Sequence, residues 1–214
     1  MNKYSNLCLI LLAAWSTHVA AAEPIIAPVS EELWSLSQKA VFSALDSDDE
    51  DDKSPINMLA TIAHDPTLLY VFLPLATKLG SVTKISPRDL EILALRTSFR
   101  AQSEYEWEHH YSSGLKAGIS EQDMNALLDE DPRGELSESD LLLIRTADEL
   151  VMGTKVSPET MIDLMNNYST AEVVEIIFIV NQYNGLSKFA KSLGIQLESG
   201  YKKGRFQEYK SHHR

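Results

Sequence analysis

The stretch that most constrains the fold is Ala171 to Leu193, with VVEIIFIVNQY at its heart. Its apolar residues fall on nearly every face, and a helix hydrophobic all round has to lie at the centre of a core. A buried strand over Val173–Val180 is the competing reading, but the run continues into SKFAKSL and stops at Gly194, which favours one long helix. Other segments must pack around it, and the same punctuation repeats along the chain. Asp65-Pro66, Ser86-Pro87 and Ser157-Pro158 each pair a capping side chain with proline at the first helical position. Ser30 is expected to cap a helix from Glu31 to about Leu45, and Ile56 to His64 forms a short amphipathic helix. Ser103 opens a helix ending at Gly118, Ser120 caps a short one to Leu128, and another runs from Leu141 to Met152. No two segments suggest pairing strands. The expected class is all-α.

The N-terminus bears on location. Lys3 precedes the apolar run Leu7–Trp15, which ends in Ala20-Ala21-Ala22, the form of a cleavable secretory signal over residues 1–22. The run is too short to span a bilayer as a helix. The chain is therefore expected to be periplasmic or secreted, with cleavage near Ala22. Cleavage would remove the sole cysteine, Cys8, and with it any disulfide or thiol chemistry. It would also remove Lys3, taking the net charge from −12 to −13. An acidic chain lacks the basic stripe of a nucleic-acid-binding protein. Residues 23–54 read as an N-terminal helix followed by the acidic linker DSDDEDDK, residues 46–53, and residues 198–214 as a basic tail. The acidic run lacks the spaced ligands and central glycine of a calcium loop.

SEYEWEHH, residues 103–110, carries the densest chemistry. At about 100° per residue, Ser103, Glu106 and His110 share one helix face, while His109 and Tyr105 point elsewhere. Spacing alone also allows a plain capping box, Ser103-x-x-Glu106, and a structural histidine. In the preceding helix Glu91 has apolar neighbours, Ala94 and Leu95, so its carboxylate is either desolvated and fit to carry protons, or turned outward to Arg88 or Arg96.

The run PRDLEILALRTSFRAQSEYEWEHHYSSGLKAGIS resembles the carboxymuconolactone decarboxylase and alkylhydroperoxidase D-like superfamily. So do INMLATIAHDP before it, and LLLIRTADEL and VEIIFIVNQYNGLSKFAKSLGI after it. The resemblance covers residues 55–197 and implies an alkylhydroperoxidase D-like helical bundle assembled as trimers or hexamers. In the peroxidase branch a Glu, a Cys-x-x-Cys pair and a His form a proton relay. Here Glu91 and His110 match the Glu and His, while the thiol positions hold Ser103 and Glu106. Thiol peroxidase activity is thus not expected, and the cysteine-free decarboxylase-like branch is the better match. It implies cofactor-free acid–base chemistry, lyase-like in type, on a small organic acid or lactone. His110, Glu91 and Glu106 would be catalytic, with Ser103, Trp107, Arg96 and Arg100 as candidate substrate-binding residues. Two alternatives stay open: a non-enzymatic oligomeric module that binds a small molecule, and a metal-dependent site at Glu91, Glu106 and His110, although no metal or cofactor is the expectation.

Overall fold

The computed structural model describes residues 23–45, 56–132, 136–199 and 206. The expected secretory signal and acidic linker lie outside these residues, as does nearly all of the expected basic tail. Among the described residues the chain forms nine α-helices, one short 3₁₀ turn and no strand. They are α1 (Leu36–Leu45), α2 (Ile56–Ile62), α3 (Pro66–Ser81), α4 (Pro87–Arg100), α5 (Glu104–Lys116), α6 (Glu121–Leu127), α7 (Glu138–Met152), α8 (Pro158–Asn167) and α9 (Thr170–Leu193). Among them no helix is long and apolar enough to cross a membrane.

The capping chemistry sets most of these boundaries. Asp65 accepts from the amides of Thr67 and Leu68, and Ser86 and Ser157 accept from those of Asp89 and Thr160. Ser120, Ser137 and Ser169 each form a reciprocal capping box with an acidic residue three positions on. Ser137 with Asp140 starts α7 three residues before the expected Leu141, inside a segment that reads as polar loop. Ser30 is a second departure, because it makes no capping bond. The 3₁₀ turn Glu31–Leu33 ends at Trp34, whose indole donates to the Val29 carbonyl (2.8 Å) and packs on Phe42 with ring centroids 4.2 Å apart. The helix restarts at Ser35, which exchanges hydrogen bonds with Gln38.

The fully buried Ile176, Ile179 and Val180 of α9 pack with Leu93 and Leu95 of α4, Trp107 of α5, Leu127 of α6 and Leu143 of α7 in one core. A second cluster (Phe42, Met58, Leu59, Leu69, Tyr105, Ala190, Ile195) joins the N-terminal segment, α2 and α3 to the far end of α9. There Gly194 takes φ +65° as the left-handed cap, and the amides of Ile25 and Ile26 donate to the Leu193 carbonyl.

α4 packs against α5, α6, α7 and α9 at once and is buried along almost its whole length, including the guanidinium of Arg96, which is 0% exposed. That guanidinium makes two 2.6 Å bonds to Asp148 of α7 and donates to the Leu127 and Asp129 carbonyls that follow α6. Arg100, one turn on, holds both oxygens of the same Asp148 at 2.8 Å and pairs with Glu130. Together they tie α4, α7 and the chain after α6 into one buried ion-pair network. Removing one partner of such a network leaves a buried carboxylate and bare carbonyls, so Arg96→Met should cost about 3–5 kcal/mol in urea unfolding. A loss below about 1 kcal/mol would show that Arg100 suffices alone.

Candidate functional site

The site lies where α4, α5 and α9 meet. Ser103 caps α5, accepting from the Glu106 amide at 3.4 Å, and this fixes the first turn. The other half of a capping box is not made. Glu106 instead turns its carboxyl inward, where it is buried and Oε1 has no hydrogen-bond partner among the described residues. One turn on, His110 Nδ1 donates to Glu91 Oε2 of α4 at 2.7 Å. Its Nε2 stands 4.0 Å from Glu106 Oε2, too far for a hydrogen bond and near enough for strong electrostatic coupling. Tyr183 of α9 packs edge-on against the imidazole, with ring centroids 4.7 Å apart and planes at 88°. Glu91 is therefore turned inward to His110. Arg88, one of the outward partners considered for it, binds Asp140 and Asp123.

The electrostatics follow from burial opposed by charge. Desolvation works against a charged His110, but the Glu91 carboxylate on its ring, with Glu106 behind, lifts the imidazole above its ordinary value. Burial pushes the Glu106 carboxyl up, and the nearby His110 and His109 only partly offset it. Burial, then Glu91 and Glu106, push the Tyr183 phenol well above its usual range. Relative to the free groups, the arrangement shifts His110 towards its imidazolium form and Glu106 towards its protonated form.

The expected substrate-binding residues fare differently. Ser103 is in place as the buried cap of this helix. Trp107 is fully buried in the core, packed against Phe206 (centroids 5.9 Å apart), because its position on α5 faces the apolar cluster rather than Glu106. Arg96 and Arg100 lie about 140° and 180° around α4 from Glu91, and both are held by Asp148. They are structural ion pairs and offer no clamp at His110. Among the described residues no three His, Cys, Asp or Glu side chains are arranged to hold a metal ion. A surface recess lined by Leu142, Arg145 and Asp163 lies at α7 and α8, away from this chemistry.

Sequence spacing overlooked α9's contribution. Tyr183 sits in a run read only as core, and nothing in one sequence registers it against α5. His109, set aside by spacing, does point elsewhere. Its Nε2 lies 2.9 Å from Glu198 Oε2, and the Tyr105 hydroxyl donates to Glu198 Oε1 at 2.9 Å. The amide of Asn57 donates to Glu198 as well (2.8 Å). Burial would raise the Glu198 carboxyl, but the His109 contact and the Asn57 amide outweigh it and hold the group low. This network anchors the segment after α9 across α5.

Comparison with known proteins agrees with the geometry. Residues 66–131, which contain Glu91, Ser103, Glu106 and His110, match the carboxymuconolactone decarboxylase family. No curated protein matches the chain. Among solved structures it is similar to the debrominase Bmp8 in complex with 2,3,4-tribromopyrrole, with 15% identity, a TM-score of 0.70, and coverage of 91% of this chain and 100% of that one. The apo form of that debrominase gives 16% identity and a TM-score of 0.69, over 86% and 97% of the two chains. An uncharacterized peroxidase-related protein from Silicibacter sp. TM1040 gives 15% identity and a TM-score of 0.63, over 70% and 80%. At such identities the structures speak for the fold alone, and the family match for residues 66–131. Residues 66–131 thus carry the likeness to the carboxymuconolactone decarboxylase family, and the described helices share the all-α, alkylhydroperoxidase D-like fold of these neighbours.

Proposed function

We propose that the protein is a thiol-free acid–base enzyme of the decarboxylase-like branch, acting on a small lactone, organic acid or related carbonyl compound. The observation that carries this reading is the bond from His110 Nδ1 to Glu91, with Tyr183 packed across the ring, which fixes the imidazole and leaves Nε2 facing Glu106. An imidazole held this way delivers or removes a proton at Nε2, and the buried carboxylate at Nδ1 stabilises the cation. Glu106, whose carboxyl burial pushes up, stands on the same side as a second group able to exchange a proton. Ser103 and Glu106 stand where the peroxidase branch of the resembled family keeps its thiols, so disulfide cycling at these positions has no sulfur to use. The debrominase neighbour was crystallised with a small ring compound, in keeping with a compact substrate here.

Two further parts of the proposal rest on sequence and surface. Residues 1–22 act as a secretory signal, placing the protein in the periplasm or outside the cell. The protein works as a homo-oligomer, supported by apolar side chains exposed on α3 (Leu68, Tyr70, Val71) and α9 (Val174, Phe178).

His110→Gln and Glu91→Gln should each lower the rate on a responsive lactone or organic acid by about 10²–10⁴-fold, while thermal melting shows both still folded. Unchanged turnover in both would refute the assignment, and binding without turnover in the wild type would mark a binding module. Stability should also respond to pH with a defined sign. Because the imidazole is raised in the folded state, its pairing contributes fully below the unfolded value of about 6.5 and is lost as pH rises through the higher folded value. Wild-type Tm should therefore fall from pH 6 towards pH 9 relative to Glu91→Gln, in which only burial and the more distant Glu106 act on His110. Parallel curves for the two proteins would show that the pair does not carry the proton linkage.

A further inference from the structure

The chain beyond α9 reaches back to the helix that carries His110. Residues 198–214 are expected from sequence to be a basic tail, yet the Glu198 side chain is only 10% exposed and Phe206 only 1%. After Gly194 caps α9, Ile195 enters the second core cluster and the Gln196 carbonyl accepts from the Asn57 side chain of α2 (2.9 Å). Glu198 then grips α5. Its Oε1 accepts from the Tyr105 hydroxyl and its Oε2 lies 2.9 Å from His109 Nε2, and these two residues sit one turn apart on the helix. Phe206 fills the angle between α4 and α5. Its ring meets Phe99 edge-on with centroids 6.4 Å apart and packs on Trp107, while its amide donates to Glu108 Oε1 (3.2 Å).

These holds come from directions other than that of Glu91. Around α5, His109 lies about 100° from His110 on one side and Glu108 about 160° from it on the other. The Ser103 cap fixes the start of the helix, but its sideways position depends on what packs along its flanks. That position matters for the imidazole. A hydrogen bond of 2.7 Å is lost beyond about 3.2 Å, so a displacement of α5 by roughly 1 Å parts His110 from Glu91. Functional constellations tolerate only about 0.5 Å of play.

Building on the acid–base reading above, we propose that Glu198 and Phe206 are positioning residues, through which the chain beyond α9 straps α5 in place and holds His110 against Glu91. Glu198 acts through Tyr105 and His109, and Phe206 through Trp107 and Glu108. Neither takes part in proton transfer. The C-terminal segment is on this account a part of the reacting unit, joined to it mechanically.

The test follows the His110 titration by NMR of its ring nitrogens in the full chain, with Glu91→Gln as the reference for a broken pair. Glu198→Ala and Phe206→Ala should each move the His110 midpoint down towards that of Glu91→Gln, while melting shows the protein still folded. Glu198→Gln keeps an oxygen for Asn57 and Tyr105 and an amide for His109, and Phe206→Leu refills the angle between the helices. Both should keep the wild-type midpoint. A residue that served stability alone would lower Tm and leave the midpoint unmoved. An unmoved midpoint in the alanine variants, or the same drop in Glu198→Gln as in Glu198→Ala, would overturn the proposal. Should alanine unfold the protein, Tyr105→Phe removes one bond to Glu198 and should still lower the midpoint, and an unchanged value there overturns the proposal too. On a responsive substrate the alanine variants should lose about tenfold or more in kcat with KM little changed. Activity retained in His110→Gln overturns the acid–base reading, whereas the midpoint, which needs no substrate, decides the strap.

Discussion

The structure depends on the buried pairing of Arg96 and Arg100 with Asp148. Bringing two guanidinium groups and a carboxylate out of water is costly, and the cost is offset only because nearly every polar atom finds a partner. Asp148 accepts from both arginines, and Arg96 also satisfies the carbonyls left open where α6 ends. The clamp sets the rotation of α4 against α7. With that rotation fixed, Glu91 faces the opposite way, towards α5 and α9. Burial at the clamp is thus what permits a second, smaller ionic site on the other face of the same helix.

That second site obeys different rules. At the clamp, charges balance with strong hydrogen bonds, and Asp148 is held below the ordinary carboxylate range despite its burial, by both arginines. At His110 the balance is incomplete, since two carboxyls share one imidazole and one carboxyl oxygen is left unpaired. Structural ion pairs are satisfied, whereas groups that must exchange a proton need open valence. The contrast between the faces of α4 is the main physical reason to read one as scaffold and the other as chemistry.

Much of this was legible in one sequence, and the limits have causes. Asp65, Ser86, Ser120, Ser157 and Gly194 mark helix ends because capping is local chemistry. The pairing of Glu91 with His110 was accessible through the family's spacing, and the helical face of Ser103, Glu106 and His110 through angle alone. Ser137 was hidden because its acidic partner Asp140 looked like part of a polar loop, and Ser30 misled because Trp34 turns inward and breaks the helix. Arg96 and Arg100 looked available because arginines near a motif suggest anion binding, and only tertiary structure reveals Asp148 more than forty residues on. Tyr183 was invisible as a site residue because no local rule registers one helix against another.

The two neighbouring histidines carry one more consequence, for motion. His109 is tied to Glu198 in the segment after α9, and His110 to Glu91 on α4, from positions about 100° apart around one helix. A spindle gripped from two directions cannot turn without releasing both grips. Rotation of α5 about its own axis is therefore closed as a route for opening the site. The freedom that remains lies in single side chains, above all the unanchored carboxyl of Glu106, so adaptation to a ligand should be a matter of rotamers on the fast timescale of side-chain motion and not of helices swinging apart.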